Sequence, residues 1–301
     1  MRQYQQVTDR ICAMLEAGTR PWSQPWGAPG GGGRPLRYDG TPYRGANVLN
    51  LWSAAMSRGF TSQHWMTYKK AGELGAQVKR GAKSESAFYV GSVIRQIENK
   101  SGELEDSTVA FMRAYAVFNA DEIENLPAQY RAPPPLARVA AGERNAAVDA
   151  WVAATGADIR EGGGRCYYRH APADHIQMAP FDSFGETSGY YSTLCHELTH
   201  WSGAAHRLDR TKGRVFGDSA YAFEELCAEL GAAYLCADLG ISAEVREDHA
   251  SYIASWLKAL RDDSRNIFRA ASHAERACGF LHAFSKPADA SEMAPAMAEA
   301  A

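Results

Sequence analysis

Apolar residues recur every three or four positions in the first half of the chain, a spacing that predicts amphipathic helices. Val7, Ile11 and Leu15 show it first, and Gly18 then provides a helix end. Alternating apolar and polar residues appear later and predict strands. The elements predicted in this region are helices at 4–17, 46–58 and 67–75 and strands around 85–95 and 108–118.

A proline-rich segment divides the chain near its middle. Pro127 and the run Pro133–Pro135 interrupt regular structure, so we place a linker at 131–142. Beyond it the pattern predicts helices at 143–155, 188–202, 219–239 and 243–284 and strands around 165–170 and 174–179. The predicted fold class is α+β with two domains: a small α+β domain at 1–130, a mostly helical domain at 143–285, and a disordered Ala/Pro-rich tail at 286–301.

Charge is unevenly distributed along the chain. Residues 1–100 hold 14 Lys and Arg against 6 Asp and Glu, a net charge of +8, whereas the remainder carries −11. A basic first third on an acidic remainder suggests two parts with different partners. The N-terminus lacks the apolar core of an export signal, and no apolar run is long enough to cross a bilayer. We therefore expect a cytoplasmic protein with no membrane partner and six reduced cysteines.

The segment YYSTLCHELTHWSG carries the strongest candidate for chemistry. Residues four apart lie on one face of a helix, so the imidazoles of His196 and His200 can reach one cation. Glu197 follows the first ligand and can contact a metal-bound water as a general base. The pattern therefore predicts a metal site of the HExxH type, with Glu197 as its catalytic residue.

A site of this type needs a third ligand, and the helix predicted at 219–239 offers two carboxylates. Glu225 and Glu229 lie one turn apart among apolar neighbours, where a carboxylate needs a metal or a partner to offset its desolvation. In the gluzincin pattern the first carboxylate binds the metal, and a residue four positions later supports the ligands. That pattern favours Glu225 as the ligand and Glu229 as its support, and the reverse assignment stays open.

The same segment also fits a second ligand pattern. HELTHWSGAAH matches HExxHxxGxxH, in which the last histidine, here His206, is the third ligand. Sites of that kind also need a methionine turn below the metal. After Met178 the next methionines are Met293 and Met297, both in the Ala/Pro-rich tail. We therefore expect His206 to lie in a loop away from the metal.

Two imidazoles and one carboxylate leave a coordination position open for water. The metal lowers the pKa of that water and polarises a carbonyl, so the predicted reaction is peptide-bond hydrolysis. This donor set fits Zn²⁺ first and also accepts Mn²⁺ or another divalent ion. The short strand DHIQM can pair with an extended peptide if it lies at the edge of a sheet.

Aromatic and basic residues alternate between positions 20 and 90. In single-stranded nucleic acids the bases stack on aromatic rings while Lys and Arg contact the phosphates. The alternative is that most of these rings belong to the core, as we expect for Trp52 and Phe88. The candidate DNA-binding residues are Trp22, Trp26, Tyr43, Arg44, Asn47, Trp65, Tyr68, Lys69, Lys70, Lys79, Arg80 and Lys83.

Several of these motifs, taken in order, resemble those of a known family. WSQPW, YRGANVLNLW and GFTSQHWMTYKKAGELGAQVKRGAKSES are similar to the N-terminal domain of ArdC-type antirestriction proteins. YYSTLCHELTHWSGAAHRLDR and YAFEELCAELGAAYL resemble the zincin-like metallopeptidase domain of the same family. The resemblance covers residues 4–285. It implies an N-terminal domain that binds single-stranded DNA, a metal-dependent C-terminal domain, and protection of incoming plasmid DNA from host restriction.

These observations leave three hypotheses. In the first, DNA binding targets the protein, and the metal site cleaves a restriction–modification protein or another protein. In the second, the protein coats entering single-stranded DNA without catalysis, and the metal is structural. In the third, the protein is a general intracellular peptidase whose basic domain binds another protein.

Overall fold

The structure, a computed structural model, describes residues 2–22, 33–98, 104–131, 142–210, 219–241 and 250–285. Most of the linker predicted at 131–142, all of the tail predicted at 286–301, and Trp26 lie outside these ranges. Within the described residues, none of the helices is both long and apolar enough to cross a membrane.

The N-terminal part of the chain combines short helices with strands. Its elements are α1 (Arg2–Glu16), α2 (Ala46–Arg58), β1 (Trp65–Thr67), α3 (Tyr68–Glu73), β2 (Gln77–Val78), β3 (Glu85–Glu98), β4 (Leu104–Asn119) and β5 (Ile123–Glu124). Local signals set the helix ends. Gly59 closes α2 in the left-handed region, with φ of 68°, and the hydroxyl of Thr67 caps α3 by accepting from the Lys70 N–H.

Helix α2 lies along the open edge of the main sheet. That sheet is antiparallel with the order β1-β4-β3, so among the described residues β3 has no strand on its outer side. The Asn47 side chain donates to the Phe88 carbonyl at 2.8 Å and accepts from the Phe88 N–H at 2.7 Å. Asn50 donates to the Ser86 carbonyl at 2.8 Å. These two amides satisfy backbone groups that an exposed edge would offer to another chain.

The C-terminal part is mostly helical. Its elements are α4 (Ala146–Ala154), β6 (Ile159–Glu161), β7 (Tyr167–Arg169), β8 (His175–Met178), α5 (Thr187–Ser202), α6 (Ser219–Leu239), α7 (Ala250–Asp262) and α8 (Asn266–Ala283). The long helix predicted over 243–284 is therefore two helices. Asp263 separates them, because its carbonyl accepts from the Asn266 N–H and its carboxylate accepts from the Arg265 N–H.

The α+β prediction with a sheet-containing first part and a helical second part is confirmed, but the two parts share one core. Arg34 of the first part is buried between Asp238 and Glu275 of the second. The hydroxyl of Tyr234 on α6 donates to the Gly45 carbonyl at 2.9 Å. The shared hydrophobic cluster includes Val7, Ile11, Trp22, Trp52, Leu194, Leu198, Leu230 and Leu281.

Candidate metal centre

Helices α5 and α6 bring three potential ligands to one buried point. His196 and His200 lie one turn apart on α5, and their Nε2 atoms are 3.1 Å apart. Glu225 on α6 reaches both rings, with one carboxylate oxygen 3.6 Å from His196 Nε2 and the other 3.5 Å from His200 Nε2. All three side chains are buried. The structure thus brings together the two histidines and the carboxylate that the sequence favours as third ligand.

These separations fit a single metal ion. Ligand atoms about 2.0–2.1 Å from a tetrahedral ion lie roughly 3.3–3.4 Å from one another. The three distances, of which the two from Glu225 start at different carboxylate oxygens, fall on either side of that value, and one ligand atom from each residue can be chosen so that all three lie within 4.8 Å of one another. Two imidazole nitrogens and one carboxylate oxygen also form a donor set that divalent transition metals accept. The geometry and the chemistry of the group therefore agree with a divalent metal.

Two further carboxylates lie against the outer nitrogens of the histidine rings. Glu224 Oε1 lies 3.2 Å from His200 Nδ1 in a hydrogen bond, and Glu229 Oε1 lies 3.2 Å from His196 Nδ1 in an ion-pair contact that lacks hydrogen-bond geometry. A carboxylate at Nδ1 fixes the ring orientation and the tautomer, so that Nε2 faces the metal. Glu229 therefore lies where the gluzincin pattern places a supporting residue.

Glu224 and its ion-pair partner Arg210 were not predicted from the sequence. The Arg210 guanidinium lies 3.3 Å from Glu224 Oε2, and it also donates to the Ser202 hydroxyl at 3.0 Å. Both side chains are almost completely buried. Only a weak signal for this pair exists in the sequence. Glu224 directly precedes the ligand Glu225, but Arg210 is remote from Glu224 in the sequence.

The carboxylates give the cluster a strong preference for positive charge. Burial by itself lowers the pKa of His200, but hydrogen bonds with Glu224 and Glu225 and their charges raise that pKa to about 10. Burial raises the pKa of Glu225, and the two imidazoles outweigh it and hold that pKa well below its usual range. The site therefore attracts a proton, and a divalent cation satisfies the same carboxylates.

Three further features that the sequence singled out have defined positions in the fold. Glu197 is buried on α5 directly after the first ligand. His206 lies in the loop after α5, where its ring is 3.4 Å from Asp174 and its side chain is 64% exposed. The strand containing DHIQM, β8, lies between β6 and β7, so the edge position considered for peptide pairing is wrong for this strand.

The predicted DNA-binding residues separate into buried and exposed sets. Trp22, Tyr43 and Trp65 are buried, Trp22 to 2% exposure, so these rings do not offer a stacking surface. The aromatic and basic pattern made these three residues DNA-binding candidates, but tertiary packing places their rings in the core, which was the alternative considered for most of the aromatic residues. Asn47 bonds to the backbone of β3, and Arg44 is 81% exposed, 3.9 Å from Glu275.

The exposed candidates gather beside a groove at α3 and β2. Tyr68 is 56% exposed, contacts Phe118 edge-to-face at 6.4 Å, and accepts a hydrogen bond from Gln77. Lys79 and Arg80 are exposed on the same groove, which has a volume of about 570 Å³. Of the other candidates, Lys69 and Lys70 pair with Glu73, and Lys83 is exposed.

Comparisons with known proteins match both parts of the chain. The family model for the N-terminal domain of anti-restriction factor ArdC matches residues 1–118, and that for a zincin-like metallopeptidase matches residues 146–273. The chain is 38% identical to the uncharacterized protein y4eC of Sinorhizobium fredii, over 96% of this chain and 94% of that protein. It is also 36% identical to a DNA primase TraC of Escherichia coli. That match covers 94% of this chain but only 27% of the length of the primase.

Solved structures agree with these matches. The metal-free crystal structure of the antirestriction protein ArdC from plasmid R388 is 43% identical, with a TM-score of 0.82, over 95% of this chain and 98% of that chain. The Mn(II)-bound crystal structure of the same protein is 42% identical, with a TM-score of 0.78, over 94% and 97% of the two chains. The chain therefore belongs to the ArdC antirestriction family and combines an ArdC N-terminal domain with a zincin-like metallopeptidase domain.

Proposed function

We propose that this protein is a cytoplasmic antirestriction protein that binds single-stranded DNA and hydrolyses a protein target at a metal site. The observation that carries the enzymatic part is the buried convergence of His196, His200 and Glu225, with Glu197 next to the first ligand. A restriction–modification protein is the candidate target, because the family is one of antirestriction proteins.

Each residue of the site has a distinct task in this proposal. His196 and His200 hold the metal through Nε2, and Glu225 holds it through its carboxylate. A Zn²⁺ or Mn²⁺ ion supplies a Lewis acid that polarises the substrate carbonyl and acidifies water. Glu197 takes a proton from the attacking water and returns it to the leaving amine. Glu224 and Glu229 hold the imidazoles in the orientation that the first task requires.

A Glu197→Gln variant tests the enzymatic part. Glutamine keeps the size of the side chain but cannot accept the proton, so cleavage of restriction-enzyme subunits should fall by a factor of about 10²–10⁴. Metal uptake and DNA binding should stay unchanged, since Glu197 is not a ligand in this proposal. Protection of transferred plasmid DNA from restriction should fall with the cleavage. Full protection by this variant would contradict the enzymatic mechanism.

A second candidate function has one observation in its favour. All three ligands are buried, as in structural metal sites, where the ion stabilises the fold. In that case the protein protects DNA by coating it, and the metal is structural. A His196→Ala variant should then lose metal binding, stability and protection of DNA from restriction. Glu197→Gln should keep all three of these properties.

The DNA-binding part rests on the groove beside Tyr68. An exposed ring next to Lys79 and Arg80 provides the combination of base stacking and phosphate contact that single strands need. Tyr68→Ala should weaken binding of a single-stranded oligonucleotide by about 1–3 kcal/mol. Arg80→Ala should weaken binding and reduce the slope of log K against log salt by about 0.7.

Lys258→Ala is the matched control for that experiment, because it removes an exposed positive charge from α7, away from the groove. It should leave affinity and salt slope unchanged. Equal effects of Arg80→Ala and Lys258→Ala would point to nonspecific attraction. Binding that does not depend on salt would remove the DNA-binding proposal and favour the general peptidase.

A further inference from the structure

Glu229 connects the metal centre to the N-terminal part of the chain. One of its carboxylate oxygens, Oε1, lies 3.2 Å from His196 Nδ1. The other, Oε2, accepts a hydrogen bond from the Trp22 indole N–H at 3.4 Å and lies 3.7 Å from Arg20 Nη1. Arg20 and Trp22 precede the ArdC helix α2, whereas Glu229 and His196 belong to the zincin-like domain. The support of the first metal ligand therefore comes from both domains.

This connection is buried throughout. Arg20, Trp22 and Glu229 are all buried, and the Trp22 ring packs edge-to-face on Trp256 of α7 at 5.8 Å. A carboxylate in such surroundings depends on its partners, because water does not replace a lost hydrogen bond or opposite charge there. The packing on Trp256 also fixes the position of the indole N–H. Arg20 and Trp22 therefore help to position the Glu229 carboxylate.

The position of Glu229 in turn sets the orientation of a metal ligand. A histidine that binds metal through Nε2 is held by the partner of its Nδ1 atom, and loss of that partner typically weakens metal binding 10–100-fold. Here the carboxylate that lies 3.2 Å from His196 Nδ1 is itself contacted by Arg20 and Trp22. Loss of either contact removes part of what positions the carboxylate at the imidazole.

We propose that Arg20 and Trp22 are positioning residues of the metal site, so that the metal affinity of the zincin-like domain depends on the ArdC domain. This inference rests on the proposed metal site. Trp22 thus has a role other than DNA contact, because its indole N–H faces the Glu229 carboxylate that lies beside His196. By linkage, metal binding also stabilises the packing of the segment at Arg20 and Trp22.

A single substitution with a matched control tests the inference. Trp22→Phe keeps a buried aromatic ring and removes the indole N–H. Trp52→Phe makes the same change at another buried tryptophan of the shared core, whose N–H donates to the Gly33 carbonyl at 3.1 Å. Dissociation constants for Mn²⁺ and Zn²⁺ are measured on the full chain, together with the midpoint of thermal unfolding without metal. We expect a weaker metal affinity for Trp22→Phe, by less than the roughly 10–100-fold that loss of a direct partner of a metal ligand causes, and an unchanged affinity for Trp52→Phe.

A double-mutant cycle separates positioning from a general loss of packing. In a Glu229→Ala background, Trp22→Phe has no carboxylate to position and should change metal affinity no further. Additive losses in the cycle would overturn the inference, since they would show that Trp22 acts without Glu229. Arg20→Met provides the second variant, with the same expectation, if Trp22→Phe does not fold.

The outcomes also distinguish this inference from the proposed site. If the folded wild-type chain takes up neither Mn²⁺ nor Zn²⁺, the proposed metal site is wrong. If the wild-type chain binds metal and both Trp22→Phe and Arg20→Met bind it equally well, the site stands and this inference is wrong. If Trp52→Phe weakens binding as much as Trp22→Phe, the effect belongs to core packing, which also overturns the inference.

Discussion

A methyl group on Gly231 of α6 would lie 2.5 Å from Cγ2 and 2.7 Å from Oγ1 of Thr199 on α5. The two helices that carry the metal ligands therefore approach each other at a residue without a side chain. Thr199 lies next to His200, and Gly231 lies less than two turns after Glu225. The absence of a side chain at Gly231 thus allows the carboxylate of one helix to reach the imidazoles of the other.

Gly231→Ala should therefore separate the ligands. We expect the free energy of unfolding to fall by about 1–3 kcal/mol, the usual cost of overpacking, and metal affinity to fall with it. Both are measured by denaturant titration and metal titration. Adding Thr199→Ala, which removes the two closest atoms, should restore part of both.

Gly279→Ala is the matched control, because Gly279 also lies in a helix, α8, and a methyl group there meets nothing within 4 Å. It should stabilise the chain by about 0.5–1 kcal/mol and leave metal affinity unchanged. A tolerated Gly231→Ala with wild-type metal affinity would contradict the close approach of α5 and α6.

Glu225 and Glu229 should differ in their effect on metal binding. Glu225→Gln removes a charged ligand oxygen that faces both imidazoles, whereas Glu229→Gln changes an outer partner of one ring. We expect Glu229→Gln to weaken metal affinity 10–100-fold and Glu225→Gln to weaken it further. Competition with a chelator measures both constants. The opposite order would assign the metal to Glu229.

The periodicity of the sequence was sufficient to predict those parts of the metal site that lie on a single helix. His196 and His200 share a helix face, so their spacing alone predicts that they converge. The contacts of Trp22 and Glu224 depend on segments distant in sequence that pack together only in the folded chain. Local composition made Trp22 a DNA-binding candidate, whereas tertiary packing on α7 buries its ring. No local pattern indicates that Arg210 pairs with Glu224.

Arg34 should contribute strongly to the association of the two domains. Its Nε and Nη2 atoms donate to Asp238 at 2.7 and 2.8 Å, and its Nη1 atom donates to Glu275 at 2.6 Å. Because Arg34 is buried, Arg34→Met removes the main partner of Asp238, which keeps His282, and of Glu275, which keeps the Gly45 N–H. The free energy of unfolding should fall by up to about 3–5 kcal/mol.

Arg44→Met is the control for Arg34→Met, since Arg44 contacts the same Glu275 from an exposed position at 3.9 Å. Its effect should stay within about 0.5 kcal/mol of zero. Urea titrations of both variants measure the difference. Equal small effects would show that the buried ion pairs do not hold the domains together.

The same contacts predict how stability depends on pH. Burial raises the pKa of Asp238, but a hydrogen bond from His282 and the charge of Arg34 outweigh it, so its pKa lies below the usual value. The Trp151 indole donates to His282 Nδ1 at 3.1 Å, which leaves the Nε2–H of His282 to donate to Asp238. The ionised Asp238 carboxylate is therefore the form that the fold stabilises.

A carboxyl group with a lowered pKa contributes stability above its unfolded pKa, about 3.9 for Asp, and loses it as the pH falls through the folded pKa. The free energy of unfolding should therefore decline as the pH is lowered below about 4. Asp238→Asn removes this titration, so its stability should be lower than that of the wild type at pH 6 and converge with it in acid. Urea titrations at intervals from pH 6 downward measure both curves. Parallel curves for the two proteins would show that Asp238 does not have a lowered pKa in the folded chain.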